Sequence, residues 1–207
     1  DANAAAFGEF LAGAAKGASS SVMITLGTGV GGGVILDGKM LMGCAFGGAE
    51  LGHAVIEMNG RQCSCGRKGC FEAYCSATAL VKLTKEKFEA TSGTLMHEMC
   101  ENDINRVGGK TAFAAMKKGD KAGAEVVDTY ISYLACGVAN LINIFQPEVF
   151  TIGGGVSGEG DNLLVPLKEK VSEQIYSKDK TLKTDLRIAT LGNDAGIIGA
   201  AAFANDK

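Results

Sequence analysis

Hydrophobic positions change their period several times along the chain, and each change predicts an element. Residues 1–16 are alanine-rich with Phe7, Leu11 and Ala14 at helical spacing, which predicts a helix whose N-terminus is Asp1. Residues 21–26 (S-V-M-I-T-L) and 34–36 read as strands, and Asp37-Gly38 predicts a hairpin turn into 39–42. From 77 to about 146 the pattern is helical. It ends in a long amphipathic stretch, 121–145, carrying Val126, Val127, Tyr130, Leu134, Val138, Leu141 and Ile142, and Pro147 stops it. Residues 148–152 form a buried strand that opens onto Gly153, Gly154 and Gly155. A helix over 161–176, a strand over 186–191 and a terminal helix over 195–204 follow. Strands and helices mix throughout without repeat or linker, so the class is α/β. The 121–145 helix is apolar over more than one narrow face (Ile131, Leu134, Val138, but also Tyr133 and Leu141), which predicts a homodimer surface on it.

Composition narrows the classes. The 207 residues are 46% hydrophobic and 21% charged, enough for a substantial core. Twenty basic against 23 acidic residues leave a net charge of -3, with no basic stripe for nucleic acid and no polybasic run for a membrane. Residues 17–36 carry no charge, but six glycines and three serines there read as two strands rather than a spanning helix. The alanine-rich start lacks the basic region of a signal peptide, and an opening on Asp1 predicts a piece of a longer chain. Seven cysteines, an odd number, fit reduced thiols in a cytoplasm better than a disulfide framework.

Four of the candidate ligands stand close together. His53, Cys63, Cys65 and Cys70 form H-x9-C-x-C-x4-C, the donor set of a closed tetrahedral zinc site. Gly66 and Gly69 let one loop wrap an ion, and Arg67 and Lys68 offset thiolate charge. Buried or disulfide-bonded cysteines are the alternative, and they require an oxidising compartment. Two glycine loops follow a strand each. Gly27, Gly29 and Gly32 match G-x-G-x-x-G, yet the loop leads into a strand rather than a helix and has no Walker A ending. It presents main-chain N–H groups and the hydroxyls of Thr25 and Thr28 to an anion, or else is a tight hairpin without ligand. The second loop, 153–158, lies between a strand and a helix, so a zinc-containing nucleotide-dependent oxidoreductase is one reading. No acidic residue about 20 positions on ends a strand, which counts against a dinucleotide.

Several runs converge on one family. Residues 1–6 (D-A-N-A-A-A), 25–39 (T-L-G-T-G-V-G-G-G-V-I-L-D-G-K), 47–53 (G-G-A-E-L-G-H) and 63–76 (C-S-C-G-R-K-G-C-F-E-A-Y-C-S) closely resemble bacterial glucokinases of the ROK family. So do 152–157 (I-G-G-G-V-S) and 194–201 (D-A-G-I-I-G-A-A). The resemblance implies an actin/hexokinase-like (ribonuclease H-like) ATPase fold of two lobes. Residues 1–207 would be the C-terminal lobe without its N-terminal partner, carrying an inserted zinc loop (about 50–76) and a helical segment. It implies a cytoplasmic kinase of carbohydrate metabolism and glycolysis that transfers the γ-phosphoryl group of ATP, with Mg2+, to a hexose. Glucose comes first, then N-acetylmannosamine, fructose or allose. Asp1 is implied as general base; Glu50, His53 and Glu72 as sugar ligands; Gly27, Thr28, Gly29 and Gly31 as the phosphate turn; and Gly153, Gly154 and Gly155 as the adenosine turn. Zinc is implied to be structural, holding His53. The same family contains sugar-sensing transcriptional repressors, but retention of Asp1, Glu50, His53 and Glu72 together favours a kinase. A lone lobe is expected to be inactive, since in-line transfer needs closure of two lobes. His97, in a polar helical run, is expected to be exposed and without a role.

Overall fold

A computed structural model describes residues 1–176 and 183–205. Five strands, β1 (Ser21–Leu26), β2 (Val30–Leu36), β3 (Lys39–Met40), β4 (Val149–Gly153) and β5 (Asp185–Ile188), form one sheet in the order β3-β2-β1-β4-β5. The first three strands pair antiparallel through hairpins, whereas β4 and β5 join parallel to β1, with Ile24 opposite Ile152. An antiparallel half beside a parallel half is not the doubly wound parallel sheet of a dinucleotide-binding fold, which removes the support for the oxidoreductase reading.

Alternation along the strands decides what each face receives. Val22, Ile24, Leu26 and Val34 point to one side, where with Phe150 and Ile152 they meet Tyr130, Ile131, Leu134 and Val138 of α6 (Lys121–Phe145). The opposite face carries α1 (Ala2–Ala12). A Cβ on Gly31 would come within 2.7 Å of the Ala2 methyl, and one on Gly33 within 2.4 Å of the Ala6 methyl. An alanine-rich helix over a glycine-rich strand is therefore close helix–sheet packing. The sequence-based loop is shorter than expected, because β2 starts at Val30 and Gly31, Gly32 and Gly33 are strand residues. Beside α1 lies α8 (Asp194–Asn205), with Phe7 stacked on Phe203 at 4.5 Å.

The predicted helical stretch 77–146 is broken into α3 (Ala77–Ala90), α4 (Leu95–Met99), α5 (Thr111–Lys117) and α6, with α7 (Asp161–Gln174) following β4. Asp120 starts α6: its carboxylate accepts from Gly123 N at 2.6 Å and from Leu95 N at 2.7 Å, tying α4 to α6. Gln146, left-handed at φ 42°, closes the helix before Pro147. Ile131, Leu134, Val138 and Leu141 are all buried in the lobe's own core, and Tyr133 packs on Tyr74 at 4.4 Å. These five residues are thus covered within the lobe, while Ile144 of the same helix stands 69% exposed. No described helix is long and apolar enough to cross a membrane.

His97 corrects the sequence reading. It is 8% exposed, inside a second cluster of Phe88, Met96, Cys100, Val107, Ala115 and Ala122. Its ring stacks on Phe88 at 3.9 Å. Nε2 lies 3.1 Å from the Phe88 carbonyl and Nδ1 2.8 Å from Thr94 Oγ1. A carbonyl only accepts, so Nε2 carries the proton and Nδ1 accepts from the hydroxyl. Replacing His97 by Ala should cost about 2–4 kcal/mol, from two buried hydrogen bonds, an aromatic contact and a cavity. Denaturant unfolding checks this, and an unchanged midpoint would show the imidazole to be dispensable.

Candidate active site

The segment between β3 and α2 (Glu72–Cys75) is folded back on itself by two isolated bridges, Val55 with Cys70 and Gln62 with Lys68. Within it Cys63 N donates to Arg67 O at 2.9 Å and Gly66 N to Cys63 O at 3.1 Å, making a tight knuckle. Gly69, at φ +80°, passes so close to Glu57 that a Cβ would stand 1.7 Å from its carbonyl oxygen. The result gathers donor atoms of His53, Cys63, Cys65 and Cys70 within 4.8 Å of one another. Cys65 Sγ is 3.6 Å from Cys70 Sγ, and Cys63 Sγ is 3.7 Å from His53 Nδ1. A tetrahedral zinc site with arms of about 2.3 Å has sulfur–sulfur edges of about 3.8 Å, so the donor set fits that ion.

Electrostatics agree. Burial, then the neighbouring Cys65 and Cys63 sulfurs, push the Cys70 thiol up to about 12. Cys65 is lowered, first by a hydrogen bond from the Arg67 main chain. Three sulfurs this close do not ionise together unless a cation compensates them. Arg67 contributes in a way the sequence did not specify: its guanidinium donates to the His53 carbonyl at 3.1 Å, holding the imidazole segment against the knuckle.

Glu72 joins the knuckle to the first glycine turn. Oε2 accepts from Val30 N at 3.0 Å, while Oε1 accepts from Ser64 Oγ at 3.2 Å and from the Cys63 thiol at 3.6 Å. A Cβ on Gly29 would strike Oε2 at 2.3 Å. The carboxylate expected to face a sugar is therefore also a strut between zinc loop and turn. The turn is held from its other side, where Ala77 N donates to Gly27 O at 2.7 Å and Thr78 Oγ1 to Thr28 O at 2.9 Å. Thr28, Gly29 and Glu72 line a cavity of about 510 Å³ together with Arg61, Ser64 and Lys82. Glu50 is exposed just ahead of a short 3-10 turn, Leu51–His53, and makes no capping bond.

Asp1 lies elsewhere. Although it sits at the N-cap of α1, its side chain makes no capping hydrogen bond. It lines a second cavity, about 550 Å³, with Thr25, Gly153, Gly154, Gly155, Ser157, Gly192 and Asn193. Gly154 (φ +84°) lets the β4 turn press against the end of β1, where a Cβ would stand 2.6 Å from the Leu26 main chain. Gly31 belongs to neither cavity; it is paired with Thr25 inside the sheet. A larger depression of about 710 Å³ between α3 and α6 holds none of the predicted residues. Sequence reasoning gave Ser157 no role although it ends the 152–157 run, and it missed Asn193, Arg61 and Lys82, which carry no motif, and Glu9, the only charged residue between Asp1 and Lys16.

A half-antiparallel, half-parallel sheet with glycine turns at the adjacent carboxyl ends of β1 and β4, and a carboxylate beside them, defines an actin/hexokinase-like lobe of the sugar-kinase type. Residues 1–207 match the ROK family, and the chain belongs to it. A glucokinase of Thermotoga maritima is 40% identical over 208 residues, which cover 100% of this chain and 65% of the relative. The xylose repressor of Bacillus subtilis is 29% identical over 208 residues, 100% of this chain and 49% of the repressor. Among solved structures, a ROK family glucokinase from Streptomyces griseus in complex with glucose and AMPPNP superposes with a TM-score of 0.91 at 34% identity. That match covers 100% of this chain and 67% of the glucokinase. The chain thus spans about two thirds of the glucokinases it matches.

Proposed function

We propose that this chain is the ATP- and sugar-binding lobe of an ATP-dependent hexose kinase acting on glucose. The observation that carries the reading is the shared cleft of Asp1, whose carboxylate is not spent on capping, with Thr25 and the Gly153–Gly155 turn. Phosphoryl transfer asks little covalent chemistry of a protein. It needs the hydroxyl held in line, its proton accepted and the phosphate charge offset. Asp1 accepts that proton. In the Gly27–Gly29 turn the Gly27 N–H is spent on the Gly29 carbonyl at 3.0 Å, so Thr28, through its hydroxyl, and Gly29 are what the turn offers to phosphate, and Gly153–Gly155 gives adenosine a face without side chains. Mg2+ entering with ATP would supply charge neutralisation.

On the sugar side, His53 turns Nδ1 toward Cys63, which leaves Nε2 for a sugar hydroxyl. Glu50 is an acceptor without other duty, and Glu72 Oε1 is free to exchange the Cys63 thiol for a hydroxyl once that sulfur is a zinc thiolate. A zinc held by His53, Cys63, Cys65 and Cys70 would fix the tautomer and direction of the His53 ring and pin the loop that carries Glu72. The homologous repressor supports a second reading, a sugar-sensing lobe that binds without turnover. A screen of hexoses with ATP, run on the whole protein, separates the two. Glucose 6-phosphate formation is expected; sugar binding with no phosphorylation of any hexose would favour the sensor.

A further inference from the structure

Glu9 is fully buried, at 0% exposure, yet it meets no cation among the described residues. Its carboxylate is satisfied by two main-chain N–H groups and one hydroxyl from two separate loops. Oε2 accepts from Ala14 N at 2.6 Å and from Thr190 Oγ1 at 3.3 Å, and Oε1 accepts from Leu191 N at 2.7 Å. Gly13 is glycine for this reason, since a Cβ there would stand 2.1 Å from Oε2 and 2.9 Å from Leu191 Cγ. Burying an ionised carboxylate is costly, and three hydrogen bonds offset the cost only while their geometry holds. A neutral residue would fill the space at less expense, so the charge points to a positional task.

The geometry locates that task. Residues 190 and 191 lead directly into Gly192 and Asn193, which line the same cleft as Gly153–Gly155. Glu9 lies on the same helix as Ala2, which adjoins Asp1, and is about 10 Å farther along the axis than Ala2. One buried carboxylate thus ties the helix that starts at Asp1 to the loop facing the nucleotide. We infer that Glu9 is a positioning residue for nucleotide binding: it sets the height of the 190–193 loop over the cleft and keeps it in register with Asp1. This rests on the function proposed above.

Gln is the informative replacement. It keeps the volume but turns one acceptor into a donor, and each oxygen of Glu9 faces an N–H group, so a donor meets a donor whichever way the amide points. In the whole protein, Glu9→Gln should raise KM for ATP roughly tenfold, the size of one lost charge-assisted bond, with KM for glucose within about twofold and zinc content unchanged. Thr190→Val removes one donor without stranding a charge and should weaken ATP alone by about threefold. If Glu9→Gln does not fold, that second variant decides. Equal shifts in both KM values alongside a lower melting temperature, or no shift in either variant, overturn the inference. Wild-type protein that binds no adenine nucleotide overturns the proposed function and this inference together, whereas equal nucleotide binding by wild type and variants overturns this one alone.

Discussion

Replacing Asp1 by Asn in the whole protein is expected to lower sugar phosphorylation by roughly 10²–10⁴ in turnover while sugar affinity changes little. Asn keeps the shape and a hydrogen-bonding oxygen but cannot take the hydroxyl proton, so the loss falls on the chemical step. The structure separates this effect from a trivial one. Asp1 caps nothing with its side chain, so the substitution removes no hydrogen bond from α1. Steady-state kinetics, sugar titration and an unfolding curve on the same preparation make the test. Near-normal turnover would hand the role of base to another group.

Stripping the metal or changing Cys65 to Ser should have the second large effect. Serine is a poor zinc ligand at neutral pH, and three remaining donors leave the site open. Such sites supply on the order of 10 kcal/mol in small zinc peptides. The loss is smaller here, because the bridges of Val55 with Cys70 and Gln62 with Lys68, and the buried Phe71 and Tyr74, hold the segment independently. Residues 60–75 should become protease-sensitive while the helical signal persists. Sugar affinity should fall at least 10–100-fold, because the His53 ring loses its anchor. Elemental analysis that finds no zinc in unchelated wild-type protein, or wild-type sugar affinity in Cys65→Ser, would refute the metal's role.

The Cys/His cluster was legible because four donor residues occur within 18 positions, and local chain geometry brings them together. The hairpin at Asp37-Gly38 and the end of α6 at Pro147 were legible for the same local reason. What failed was non-local. Gly31 to Gly33 looked like a loop because nothing in the strand announces the helix lying on it. His97 looked exposed because its polar neighbours hide that Phe88, nine residues earlier, returns to cover it. Glu72 read as a free acceptor because its partner Val30 is 42 residues away. Glu9, a lone charge in an apolar helix, was passed over, because its donors at 190 and 191 cannot be seen from there.

The contact at Gly154 bears on how such a protein can drift. Its obstruction is the main chain of Leu26, and its left-handed backbone disfavours any side chain besides. A crowded side chain can be relieved by trimming a neighbour, but an obstructing backbone cannot be mutated away. Position 154 therefore has no compensating side-chain partner among the described residues. Exposed residues such as Cys44 and Glu50, whose backbones carry no left-handed constraint, are where a lineage can vary without first dismantling its sheet.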